Sequence, residues 1–174
     1  YFLDQKMNRD NLKYYAKDKT VLDCFSNVGG FALHAAKYGA KEVLACDISS
    51  LACKEILNNA KLNNFNQIHV ECGDVFDILK KDENINKFDL IVLDPPAFTK
   101  SKETVKKAYF GYRSINIQAM KIIKSGGYLM SFSCSQHMTP DLFLNMIKEA
   151  SILSKRTVQF LDFRIQSPDH PALI

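Results

Sequence analysis

A chain of 174 residues, 47% hydrophobic and 24% charged with few glycines and prolines, suits one domain with a real core. That composition excludes a disordered or fibrous protein, and no apolar stretch approaches the ~18 residues of a membrane span. The net charge of +4 is compatible with a nucleic-acid substrate without requiring one, and the five cysteines show no C-x-x-C pairing. They therefore suggest neither a disulfide framework nor a metal site, and a reducing cytoplasm is the expected setting. The opening Tyr1-Phe2-Leu3-Asp4 has no signal-peptide pattern and reads as a cut inside a longer polypeptide.

In chain order, five short apolar runs alternate with longer helical patterns: Val21–Phe25, Glu42–Cys46, Ile68–Cys72, Phe88–Leu93 and Tyr128–Cys134. Each is nearly free of internal charge, as strands covered on both faces by helices should be. Phe31–Tyr38 reads as a helix stopped by Gly39, and Leu51–Leu62 as a second, with Ser49 and Ser50 as candidate N-caps. Val105–Lys124 is a long amphipathic helix ended by Gly126-Gly127, with Lys121 and Lys124 at its negative end. Asp141–Ser154 follows Thr139-Pro140 as N-cap and first residue, and Thr157–Ile165 alternates like a half-buried last strand. The pattern is α/β: a mostly parallel, doubly wound, Rossmann-like sheet. Such sheets bind ligands at the carboxyl ends of their strands.

Those ends are chemically loaded. The first strand enters Asp23-Cys24-Phe25-Ser26-Asn27-Val28-Gly29-Gly30, where glycine lets the backbone approach a ligand at a helix N-terminus. The G-x-G-x-x-G fingerprint of dinucleotide sites is absent, which disfavours a nicotinamide-dependent oxidoreductase. An acid there suits the amino group of a methionine moiety better than a pyrophosphate; a tight turn without a ligand is the plain alternative. Asp47, ending the second strand, is placed for ribose hydroxyls or for capping the next helix. Asp74, after the third, could accept from an adenine amino group. One acid is a weak signal, and three on successive strands a much stronger one.

The fourth strand ends in Asp94-Pro95-Pro96-Ala97-Phe98, where two prolines stiffen the turn and an aromatic offers a stacking surface. The fifth ends in Ser133-Cys134-Ser135-Gln136-His137, which sets Cys134 beside Asp94 if the two strands are neighbours. A lone cysteine at a strand end is most often buried filler. A loop histidine such as His137 is more often solvated than tuned to lower a thiol pKa.

VLDCFSNVGGFALHAAKYGAKEVLACDIS, GD, DPPAFTKSK, GYRSIN, SCSQH and SPDHP, with the opening FLDQKMNR, resemble the catalytic domain of bacterial ribosomal RNA large-subunit methyltransferase I-like proteins. These are S-adenosylmethionine (SAM) dependent RNA cytosine-5 methyltransferases and close relatives. The resemblance implies SAM as cofactor, with Asp23, Ser26 and Gly29 around its methionine, Asp47 and Ile48 at its ribose, and Asp74 and Val75 at its adenine. It implies that Asp94 contacts both cofactor and target base, and that Cys134 is the nucleophile. Gln5 and Arg9 would pack over the cofactor. Apart from the resemblance, Phe98, with Pro95 in the same turn, is a candidate to stack on a base flipped out of any duplex, and Lys100, with Lys102, Lys106 and Lys107, either rims the substrate entrance or forms a solvated helix start.

The resemblance further implies a ribosomal RNA partner, with cytosine C5 in the large-subunit 23S RNA as the target. It implies a PUA-type RNA-binding domain ahead of this segment and a final strand beyond it, so residues 1–174 read as one catalytic domain lacking that strand. Methylation of an exocyclic amine with a structural Cys134, and a SAM-binding module that docks on RNA without turnover, both stay open. So does a homodimer; no membrane partner is expected.

Overall fold

The computed structural model describes residues 3–98, 102–135 and 137–168. The chain starts on a six-residue helix, Lys6–Asn11 (α1), that buries Asn8 and Arg9 instead of an apolar stripe. Thr20–Cys24 (β1) then runs through the middle of the sheet, where Val21, Leu22 and Cys24 are completely buried. Gly30–Lys37 (α2) leads to Glu42–Asp47 (β2), and Ser50–Leu62 (α3) to Ile68–Cys72 (β3). Val75–Ile78 (α4) precedes Phe88–Leu93 (β4), and Val105–Ile122 (α5) runs directly into Ile123–Ser131 (β5). Pro140–Ser154 (α6) is the last helix among the described residues.

All five strands pair in parallel in the order β3-β2-β1-β4-β5. Alternate side chains of each strand point to opposite faces, so the sheet needs two cores. Phe31, Ala32, Ala35 and Ala36 of α2 and Ile56 and Ala60 of α3 cover Val21, Val43, Ala45, Leu90 and Val92. Val75 and Ile78 of α4 and Ile115, Ala119 and Ile122 of α5 cover Leu22, Cys24, Cys46, Ile91 and Leu93 on the other face. Helix α6 packs outside α5 through Met146, with Phe98, Leu142 and Phe143 filling the seam. Because β2 and β4 flank β1, the chain winds one way to β3 and back the other way through β4. The crevice above β1 and β4 is the switch point where such sheets bind ligands.

Three expectations need correction. Helix α5 stops at Ile122, and Ile123 already pairs with Phe88; Lys124 binds Asp89 at 2.9 Å instead of capping the helix. The irregularity between Phe88 and Leu90 takes in residues 124–127 of β5, and at Gly127 a side chain would meet the Asp89 carbonyl at 3.0 Å. Strand β5 ends at Ser131, which leaves Cys134 on the loop beyond it. Thr157–Ile165 forms no strand. Its alternating apolar residues Val158, Phe160, Phe163 and Ile165 are exposed, since a strand forms only on a partner edge and none of the described strands pairs with it.

Candidate cofactor and active site

Asp23 sits within β1 with 1% of its surface exposed. Its Oδ2 accepts from Ser26 Oγ and from the Ala32 amide at 2.9 Å, which ties the turn to the first coil of α2. Its Oδ1 has no partner among the described residues. Burial raises the carboxyl from 3.8 to about 7, against the lowering effect of those two donors. The turn between them is tight: Phe25, Asn27 and Gly29 all take positive φ, and a side chain on Gly29 would press on Ile56 at 3.3 Å.

Asp47, at the end of β2, accepts from the Asn27 amide at 2.8 Å and the Ser49 amide at 2.9 Å. It thereby joins the two loops while each oxygen keeps a lone pair for a hydroxyl donor. Capping α3 falls to Ser49, whose Oγ accepts from the Ala52 amide. The next residue, Ile48, is apolar yet 72% exposed beside this acid. Asp74 caps α4 by accepting from the Phe76 amide at 2.8 Å, and its neighbour Val75 has a buried side chain. What Val75 can offer a ligand is its backbone N–H at the start of the helix.

Asp94 follows β4 on the other side of β1. Gln5 Nε2 donates to its Oδ1 at 2.8 Å, and Gln5 Oε1 accepts from Asn8 Nδ2 at 2.7 Å, so α1 presents a fixed amide to the acid. Burial raises this carboxyl to about 6, with Gln5 opposing the shift. The chain end supports the same corner: Met7 N–H donates to Ser167 Oγ at 3.0 Å, and Ser167 N–H to the Asp4 carbonyl at 2.9 Å. The Gln5–Asp94 contact was not expected from the sequence, where Gln5 and Arg9 were expected over the cofactor.

Cys134 stands where the β4–β5 pairing would put it: its thiol donates to the Pro95 carbonyl at 3.6 Å. Cys134 is exposed as a residue, but partial desolvation of its sulfur and then the Asp94 charge push the thiol above its usual range. Asp94 and Asp4 are the acids acting on it, and His137 is not among the groups that set its proton affinity. Pro95 is buried. Phe98 is half-buried and packs its ring against Tyr112 at 4.6 Å, Phe76 at 6.2 Å and Phe25 at 6.4 Å. It builds the wall behind the Asp94 turn. Lys100 lies outside the described residues, as does the side chain of Lys102, whereas Lys106 and Lys107 are exposed on the first turn of α5.

A family model for S-adenosylmethionine-dependent methyltransferases matches residues 1–172. The chain belongs to that family. SAM is its cofactor, and the site fits it: the unpartnered, buried Asp23 Oδ1 needs a donor, and an ammonium group is one. The chain is 42% identical, over 98% of its length, to ribosomal RNA large subunit methyltransferase I of Aliivibrio fischeri strain MJ11. It is 40% identical, over 99% of its length, to the protein of that name from Erwinia tasmaniensis. It spans 44% of the length of each of these relatives. Among solved structures, SMU.776 complexed with SAH superposes over 100% of this chain and 46% of its own, with a TM-score of 0.87 and 26% identity. A second solved structure, a protein from Streptococcus mutans, covers 97% of this chain and 44% of its own at a TM-score of 0.83 and 26% identity. NSun6 from Pyrococcus horikoshii, at 18% identity and a TM-score of 0.66 over 82% of this chain and 40% of its own, shares the fold. No helix among the described residues is long and apolar enough to cross a membrane.

Proposed function

We propose that this chain is the catalytic part of an enzyme that methylates C5 of a cytosine in large-subunit ribosomal RNA. The observation that carries the reading is the Cys134 thiol held against the Asp94-Pro95 turn. Ribosomal RNA as substrate is supported by the name of the relatives that are 40–42% identical. Asp23 would take the methionine ammonium, Ser26 and Gly29 would shape the turn around it, Asp47 and Ile48 would hold the ribose, and Asp74 with the Val75 amide would hold the adenine.

C5 of cytosine is a poor nucleophile and needs activation. Asp94, with a carboxyl raised to about 6, can carry a proton near neutral pH. In the proposed cycle Asp94 takes the Cys134 proton and passes it to N3 of the base. The Cys134 sulfur adds to C6 while the C5–C6 pair shifts toward C4. SAM, when bound, would supply the methyl group to C5, its neutral thioether leaving with the pair of the broken methyl–sulfur bond. The C5 proton then leaves to water and its electron pair restores the C5–C6 double bond as the Cys134 sulfur departs from C6 with its bonding pair. N3 returns its proton through Asp94 to that sulfur. Pro95 fixes the turn beneath the base and Phe98 backs it.

The full-length protein mixed with SAM and 5-fluorocytosine-substituted large-subunit RNA should form a covalent adduct that Cys134→Ala abolishes. The high proton affinity of the thiol favours a second reading, methylation of an exocyclic amine at the same turn. That reading predicts no adduct and undiminished methyl transfer by Cys134→Ala.

A further inference from the structure

Tyr112 is completely buried in the middle of α5 and touches both loops that carry the proposed reacting groups. Its hydroxyl shares a 2.8 Å hydrogen bond with Oγ of Ser135, the residue after Cys134. Its ring lies 4.6 Å from that of Phe98, four residues past Asp94, and 6.2 Å from that of Phe143 on α6. Ser135 is itself buried, and its amide donates to Ser133 Oγ at 3.3 Å.

These contacts matter because main-chain pairing gives out here. The β4–β5 ladder ends at Leu93 and Ser131, followed by one bond from the Phe132 amide to the Leu93 carbonyl at 2.9 Å. Past it, the Cys134 thiol bonds the Pro95 carbonyl across the two loops, and a reacting thiol must give that contact up. A buried hydroxyl pair is a better tie, since removing one partner leaves the other desolvated and unsatisfied. The Phe98 end is fitted closely too: a side chain on Gly111 would meet the Phe98 ring at 3.1 Å.

We propose that Tyr112 is a positioning residue, a strut from α5 that sets the separation of Cys134 from Asp94 by holding Ser135 with its hydroxyl and Phe98 with its ring. The proposal rests on the reading of Cys134 as nucleophile.

Tyr112→Phe keeps the ring contacts and removes the tie to Ser135. In the full-length protein it should lower both kcat and the rate of adduct formation with 5-fluorocytosine RNA by roughly 10- to 100-fold, the scale of a small misplacement of reacting atoms. SAM affinity and the KM for RNA should stay within about twofold, because Tyr112→Phe keeps the ring contact that supports Phe98 and the lost hydroxyl bonds Ser135, a residue assigned to neither ligand. Ser135→Ala should give the same loss, and the double variant no more than either single, since one bond is removed in each case. If Tyr112→Phe does not fold, Ser135→Ala, a loop change, carries the same test alone. Wild-type adduct rates in Tyr112→Phe or Ser135→Ala, with Cys134→Ala inactive, would overturn the strut and leave the nucleophile standing. Full methyl transfer by Cys134→Ala would overturn the nucleophile, and the strut with it.

Discussion

Asp23 and Asp94 hold their protons more tightly than ordinary carboxylates, and both shifts come first from burial. For Asp23 the folded value of about 7 exceeds the ordinary carboxyl value of 3.8. Its protonated form therefore stabilises the ligand-free fold below about pH 4, and that contribution is lost as pH rises through about 7. An ammonium beside Oδ1 reverses the preference by favouring the carboxylate. SAM affinity should then weaken by up to about tenfold per pH unit below about 7, and weaken again above about 8 as the ligand's own α-amino group deprotonates. Calorimetric titration across this range should show the acid limb in wild type and a flat one in Asp23→Asn. An acid limb unchanged in Asp23→Asn would remove Asp23 from the methionine site. Asp47 and Asp94 stood out in the sequence as candidates because each directly follows an apolar run, a placement that packing alone does not explain. The Gln5–Asp94 bond did not stand out, since its partners lie 89 positions apart and no periodicity links them.

At the scale of elements, strands β1, β2 and β4 read correctly because their apolar runs are covered on both faces, which leaves few alternatives for such segments, and the edge strand β3 was legible with Ile68 as its one buried residue. Strand β5 was misplaced at both ends, since its irregular start and its stop at Ser131 depend on what Phe88 and Leu93 offer across the ladder. Thr157–Ile165 shows the limit of an alternating pattern: it reports half-burial on some edge, and the edge is a tertiary fact. Helices α1 and α4 were missed because six and four residues are too few for a 3.6-residue period to show. Caps were easier, as their chemistry is local. Thr139 Oγ1 accepts from the Leu142 amide at 3.3 Å, with Pro140 next to it at the start of α6. Thr139→Ala should cost about 1 kcal/mol, a fall of about 2 to 4 °C in melting temperature, with SAM affinity unchanged. Calorimetric melting that shows no loss would mean that Pro140 alone sets the helix start.

Across the whole molecule, the sheet order brings the ends of β1, β2 and β4 level, with Cys24 opposite both Cys46 and Leu93. Asp47 and Asp94 thereby stand close enough to Asp23 for their charges to act on it, and α5 follows β4 in the chain. Two exposed lysines, Lys106 and Lys107, occupy the first turn of that 18-residue helix, which holds no acidic residue. Cations at a helix N-terminus oppose the positive end of its dipole, so this placement costs a few tenths of a kcal/mol to about 1 kcal/mol in stability. A solvated helix start has no need of that cost, whereas a phosphate bound across the turn would offset it. Each phosphate neutralised on single-stranded RNA adds about 0.7 to the slope of log affinity against log salt. Changing both lysines to glutamine in the full-length protein should lower that slope by about 1 to 1.5, weaken RNA binding most at low salt, and leave SAM affinity intact. The same substitutions should raise the melting temperature slightly in the absence of RNA, because they relieve the unfavourable charge at the helix start. Fluorescence anisotropy with a large-subunit RNA fragment from about 50 to about 300 mM salt measures the slope directly. An unchanged slope would show that these lysines face solvent and that the RNA enters the crevice from another side.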